Sequence, residues 1–228
     1  MKHLLILHGA LGSGAQMAPL AAALQDKFIL HTPNLPGHGG SPAAAFSIEA
    51  FADAVAAYCR EHQLEKVNLF GYSMGGFVGL YLAAKAPGLV EKIMTLATKF
   101  HWDVPTAQRE TSLLQPEVIE EKLPQFAAVL RERHAPADWK EVLHQTAGML
   151  TVMGNRNPLG DEVLSAISIP VLLALGDRDK MVSLDETIIT RKKISGAHLA
   201  VLPDTPHPFE AVDKTLLAFF VNRFFNGG

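Results

Sequence analysis

Cysteine is nearly absent: Cys59 stands alone among 228 residues. A single thiol excludes an intrachain disulfide and a thiolate metal cluster, and within "AVAAYCREH" it reads as a packed helix side chain. Long apolar runs are scarce too. The amino-terminal "MKHLLILHG" holds four consecutive apolar residues, too few for a signal-peptide core or a membrane span. Neither charge dominates. Twenty basic against 23 acidic side chains leave a formal charge of −3, which gives no electrostatic reason to expect a nucleic-acid partner. Repeats, H-E-x-x-H, G-x-G-x-x-G and P-loop spacings are missing. The expectation is a cytoplasmic protein acting on a small molecule, with no cofactor, metal or membrane partner, as a monomer or a homodimer.

Six short segments rich in Val, Ile and Leu punctuate the chain: "HLLILHG", "FILHTPN", "KVNLFGYS", "KIMTLAT", "IPVLLALGD" and "HLAVLPD". Each reads as a strand buried on both faces. Helical patterns separate them, over Met17 to Gln25, Ile48 to His62, Met74 to Ala86, Ser183 to Ile194 and Phe209 to Phe225. This alternation predicts an α/β fold, a mostly parallel sheet of about six strands covered by helices on both faces. Ligands gather at the carboxyl ends of such strands. The spacing breaks once, after the fourth predicted strand. There "PEVIEEKLPQFAAVLRERH" places Ile119, Leu123, Phe126 and Leu130 on one face, and "DWKEVLHQTAGMLTVM" follows. Pro124 should kink or divide the first helix. The expected layout is a core of residues 1–98 and 162–228 with a helical lid over 99–161, where simple crossovers would be far shorter.

In "LFGYSMGG" a serine stands between glycines where a strand hands over to a helix. Such a turn strains the backbone and projects the Ser73 hydroxyl from the sheet, and Gly71 and Gly75 permit it. A serine needs a general base, and the base needs a carboxylate to fix its tautomer. Of ten histidines, His62, His134 and His144 read as surface groups of helices. His3, His31 and His198 read as packing residues of strands, and His8 as a loop brace. His207, between Pro206 and Pro208 after the last strand, returns to the carboxyl edge of the sheet. For the carboxylate, Asp179 is preferred to Asp177 because it lies farther beyond its strand and precedes the apolar Met181-Val182. Asp177 is the alternative, or else caps the turn. An oxyanion hole would take the amide of Met74 and a second from the loop "HGALGSG".

In their order, "HGALGS", "NLPGHGGS", "GYSMGG", "PVLLALGDRD" and the late His207 resemble the α/β-hydrolase fold superfamily, in its single-domain esterase, thioesterase and carbon–carbon hydrolase form. The resemblance covers nearly the whole chain outside the lid. It implies Ser73 as nucleophile, His207 as base and Asp179 as its orienting acid, with the amides of Ala10 and Met74 forming the oxyanion hole and Leu11 the weaker alternative. Asn34 stands where such proteins usually carry a loop-bracing aspartate. Phe77 replaces the arginine of the family's menaquinone-pathway synthases, which weakens that assignment. Leu11 and Trp102 are candidate substrate contacts; Trp102, Phe100, Leu113, Leu114, Trp139 and Met153 either line an apolar acyl pocket under the lid or hold the lid helices together. Arg109, Arg131, Arg133 and Arg156 are either anion contacts or solvated. The expected activity is cleavage of a carboxylic ester or thioester through an acyl-enzyme. The alternatives are a carbon–carbon bond hydrolase or lyase with the same triad, and a small-molecule receptor.

Overall fold

A computed structural model describes residues 1–42 and 45–227. Its sheet comprises β1 (Lys2–Leu7), β2 (Phe28–His31), β3 (Val67–Tyr72), β4 (Val90–Leu96), β5 (Val171–Gly176) and β6 (His198–Leu202). They pair in the order β2-β1-β3-β4-β5-β6, every pair parallel. The chain leaves β1 for β2 on one side and returns to β3 on the other. The crevice beyond the carboxyl ends of β1 and β3 is therefore the topological switch point, where open α/β sheets bind ligands.

The period-2 alternation of strand side chains builds two cores. Leu5, Leu7, Leu69, Ile93 and Leu173 face α2 (Ile48–Glu61) and α3 (Met74–Lys85), where they meet Phe51, Val55, Phe77 and Leu80. On the opposite face Leu4, Ile6, Phe70, Met94 and Leu172 meet Leu20 and Leu24 of α1 (Ala18–Leu24) and Leu217, Val221 and Phe225 of α10 (Lys214–Asn226). Helix α10 starts later than its sequence pattern suggests. Phe209–Ala211 form a 3-10 turn, and Asp213 then accepts from the amides of Thr215 and Leu216 as the helix cap. That cap satisfies first-turn donors that a start at Phe209 would leave without one.

Between β4 and β5 run α4 (Val104–Ser112), α5 (Pro116–Lys122), α6 (Pro124–His134), α7 (Trp139–Asn155) and α8 (Asp161–Ser165); α9 (Leu184–Lys193) follows β5. Helices α5 and α6 part at Leu123, with Pro124 as the first residue of α6, where the missing N–H of proline costs nothing. The insertion has its own small core of Ile119, Leu130, Trp139 and Leu143, joined by Leu11 from the loop after β1. Leu123 and Phe126, expected on the apolar face with Ile119 and Leu130, are instead 55% and 39% exposed. The break at Leu123 changes the phase between α5 and α6, so one continuous face cannot persist across it. Met149 and Met153 of α7 pack into the main core.

The close approach of α3 to β1 depends on glycine. A Cβ on Gly75 would stand 2.5 Å from the carbonyl oxygen of Leu7 and 2.6 Å from that of His8. Backbone atoms at that range cannot move aside cheaply, so Gly75→Ala should cost about 3 kcal/mol, the upper range for overpacking. A thermal melt followed by circular dichroism reads this as a clear fall in midpoint.

Candidate active site

Ser73 connects β3 to α3 at φ 50° and ψ −118°, a left-handed backbone that a non-glycine residue adopts only under constraint. Its amide donates to the Leu96 carbonyl at 2.8 Å, and the Thr98 hydroxyl donates to its carbonyl at 2.9 Å. The turn is thus tied to the end of β4. Gly71 faces Gly76 across the bend so closely that a Cβ would collide with backbone.

The structure brings Ser73, His207 and Asp179 together. His207 Nε2 lies 3.5 Å from Ser73 Oγ, and His207 Nδ1 lies 2.8 Å from Asp179 Oδ2. Pairing with the carboxylate puts the imidazole proton on Nδ1 and leaves the Nε2 lone pair facing the hydroxyl. The Ser–His separation is loose, as is common for such pairs before a substrate binds. Asp179 has a side chain only 1% exposed. Burial opposes its ionisation, yet the bond to His207 and the amides of Val182 and Met181, at 2.9 and 2.8 Å, hold its carboxyl below the usual range. Asp177 accepts from the Thr205 amide at 3.1 Å and braces the loop after β6. Tyr72 donates to the His207 carbonyl at 2.9 Å, and burial pushes its phenol pKa up, so it remains a donor.

Ser73 and His207 line a cavity of about 400 Å³ to which helices α4, α6 and α7 also contribute side chains. Ala10, Leu11, Met74, Trp102, Leu113, Leu114, Phe126 and Met153 share its wall. Phe100 packs into the main core and Trp139 into the insertion's own core instead. Met74 is the first residue of α3, where amides have no partner within the helix. Among the arginines weighed from sequence, Arg133 reaches the cavity. Lys99 and Glu110 also line it, paired at 3.4 Å with side chains 12% and 10% exposed. Nothing in their spacing signals this pair, because the two residues lie on separate elements and meet only through tertiary packing. Among the described residues no group of three or more His, Cys, Asp or Glu could hold a metal ion, and no helix is long and apolar enough to cross a membrane.

Histidines surround the loops beneath the cavity. His8 Nδ1 donates to the Gly9 carbonyl at 2.8 Å, and its Nε2 accepts from the Leu35 amide at 3.0 Å. Both nitrogens are occupied, so His8 is a neutral brace. Asn34 accepts from the Gly14 amide at 2.7 Å and donates to the Gly39 carbonyl at 3.1 Å, bracing the same loops. His134, expected at the surface, is fully buried: Nε2 meets the Leu11 carbonyl and Nδ1 the Gly39 amide, each at 3.1 Å. Of the charged neighbours that suggested a surface site, Arg131 and Glu132 are exposed, while Arg133 turns inward beside His134. His198, read as a packing residue, is exposed at the start of the edge strand β6.

The profile of the α/β hydrolase fold family matches residues 2–133. The strand order, the serine turn and that match define the class, and the chain belongs to this family. Among its relatives is the pimeloyl-[acyl-carrier protein] methyl ester esterase of Vibrio campbellii, 26% identical over 230 residues that cover 90% of this chain and 88% of that one. The esterase of the same name from Neisseria meningitidis serogroup A is 27% identical, over 96% of this chain and 76% of its own. The Chromobacterium violaceum counterpart reaches 36% over 94 residues, 41% of this chain, but that match spans only 35% of the relative. A thermophilic esterase from Thermogutta terrifontis superposes with a TM-score of 0.81 at 21% identity, covering 100% of this chain and 90% of that one. An enol-lactonase from Burkholderia xenovorans superposes at 0.78 and 21%, over 99% and 91%. At that identity the superpositions speak for the fold alone.

Burial pushes the His8 pKa down to about 3, with His38 adding repulsion, and pushes that of His38 down to about 4 against a bond to the Pro36 carbonyl. His134 faces both as a further titratable group, itself shifted down by burial. The unfolded chain takes up these protons below about pH 6.5 while the folded chain refuses them, so stability falls as pH drops from 6.5 toward 4. At pH 5 the loss should approach about 2 kcal/mol for each of His8 and His38. A urea midpoint at pH 5 equal to that at pH 7.5 would contradict their neutral state.

Proposed function

We propose that this chain is a serine hydrolase that cleaves a carboxylic ester through an acyl-enzyme. The observation that carries the reading is the strained Ser73 turn, with His207 at 3.5 Å and Asp179 behind it at 2.8 Å, opening on a mainly apolar cavity. The esterase names of relatives aligned along most of the chain point the same way. Ser73 attacks the carbonyl carbon as His207 takes its proton, and Asp179 stabilises the imidazolium that forms. The developing oxyanion meets the amides of Ala10 and Met74, aided by the partial positive charge at the start of α3. His207 then gives the proton to the leaving alkoxide. In the second half-reaction a water attacks the acyl-serine with His207 as base, and the acid departs.

The helices over residues 99–161 serve as a lid that keeps water from the acyl group. Leu11 and Trp102 contact that group, and the same attack and oxyanion serve a thioester, with a thiol as the leaving group. A cavity of about 400 Å³ is at the lower end for small-molecule sites, which suits a short or medium acyl chain.

Hydrolysis of p-nitrophenyl esters of increasing chain length tests this. Turnover should peak at short to medium chains and vanish in Ser73→Ala. No turnover by folded wild-type protein on any of the esters would overturn the esterase reading. With the same substrates, Asp179→Asn should lower kcat by about 10⁴-fold, since an asparagine donating to Nδ1 enforces the wrong tautomer. A loss below tenfold would remove Asp179 from its role.

A further inference from the structure

The loop after β1 contains a backbone conformation that its own sequence does not favour. Gly12 donates its amide to the Gly9 carbonyl at 3.1 Å, closing a turn over Ala10 and Leu11. Leu11, the third residue of that turn, has φ 58°, at a position normally given to glycine. A left-handed leucine costs about 1–2 kcal/mol, so something outside the turn must hold it. Its side chain is buried against Ile119, Leu130, Trp139 and Leu143 of the insertion. Its carbonyl lies across the same planar peptide from the Gly12 amide and so points out of the turn. There it accepts two hydrogen bonds from consecutive residues at the end of α6: Arg133 Nη1 at 2.9 Å and His134 Nε2 at 3.1 Å.

These two donors are themselves fixed. Arg133, with a side chain 14% exposed, bridges through Nη2 to Glu210 at 3.2 Å, and Glu210 takes a second bond from Gln16 at 2.8 Å. Glu210 follows His207 by three residues, so one guanidinium ties the end of α6 to both the loop after β1 and the loop of the base. His134 is locked from behind by the Gly39 amide.

We infer that Arg133 and His134 are positioning residues for ester cleavage: by clamping the Leu11 carbonyl from the insertion, they hold the preceding Ala10 amide at the reacting carbonyl oxygen. This rests on the serine-hydrolase reading for its catalytic consequence, but the clamp itself does not. It makes the oxyanion hole dependent on the insertion. When α6 is seated the turn keeps its strained form, and when α6 is displaced Leu11 loses both donors.

Two measurements on Arg133→Met, His134→Leu and the double variant test the clamp, with melting curves to confirm folding. First, hydrogen exchange of the segment 8–12 should quicken in each variant while β1 stays protected. Unchanged exchange in the double variant would overturn the clamp whatever the enzyme does. Second, kcat for a p-nitrophenyl ester should fall by about tenfold in a single variant and by up to about 10²-fold in the double, approaching the loss of one oxyanion donor. KM should move less than about threefold, and affinity for a trifluoromethyl ketone, which binds as a tetrahedral oxyanion adduct, should fall in parallel with kcat. Arg133→Lys should recover part of the loss by supplying one donor. A rise in KM alone, with inhibitor affinity intact, would make Arg133 a substrate contact and sink the positioning role. Faster exchange together with wild-type protein that turns over no ester would uphold the clamp and fault the hydrolase reading instead.

Discussion

The backbone of Ser73 lies at φ 50° and ψ −118°, and it stays there because glycines let α3 close onto the strands around it. Gly75 presses on the carbonyls of Leu7 and His8, and Gly71 on the backbone of Gly76. Thr98 and Leu96 bind the serine from the end of β4. A strained residue persists only where its surroundings over-determine it. Here those surroundings are the central strands themselves, the part of the sheet buried on both faces. The consequence is a hydroxyl aimed at the switch-point crevice, with the first turn of a helix beneath it.

Around that point, apart from the Arg133 guanidinium on the Leu11 carbonyl, the loops are held by neutral side chains. His8, His134 and Asn34 each spend their polar atoms on backbone groups of the loops after β1 and β2. An uncharged imidazole offers one donor and one acceptor in a fixed direction and avoids the cost of burying an ion. His207 is arranged differently: one nitrogen faces Asp179 and the other faces Ser73. The difference between a brace and a base is therefore what lies at the second nitrogen.

The segment between β4 and β5 does more than line the cavity. It contributes Leu113, Phe126 and Met153 to the apolar wall, packs Leu11 into its own small core, and anchors the loop after β1 through Arg133 and His134. The Lys99–Glu110 pair adds two opposite charges at the wall. Isolated buried ions are costly, and pairing offsets part of that cost. The cavity thus combines a large apolar surface with a few fixed polar points.

Much was legible in the sequence because it is encoded locally. Strand alternation, the glycines flanking Ser73 and the run of Pro206 and Pro208 around His207 follow from backbone sterics within a few residues, and they suffice for the six parallel strands and for placing Ser73, His207 and Asp179 at the same edge of the sheet. Asp179 was separable from Asp177 on the same ground, by its distance beyond the strand. The phase of α5 and α6 was not legible, since the break at Leu123 depends on what each helix packs against. Nor was the burial of His134, whose partners Leu11 and Gly39 lie far away in the chain. Charged neighbours in sequence describe the faces of one helix, while burial depends on which face meets another element. The sequence by itself determined the sheet and the serine turn; tertiary structure decided which histidines lie inside, which arginine reaches the cavity and what holds Leu11 in place, because those outcomes are set by contacts between segments and not by any one of them.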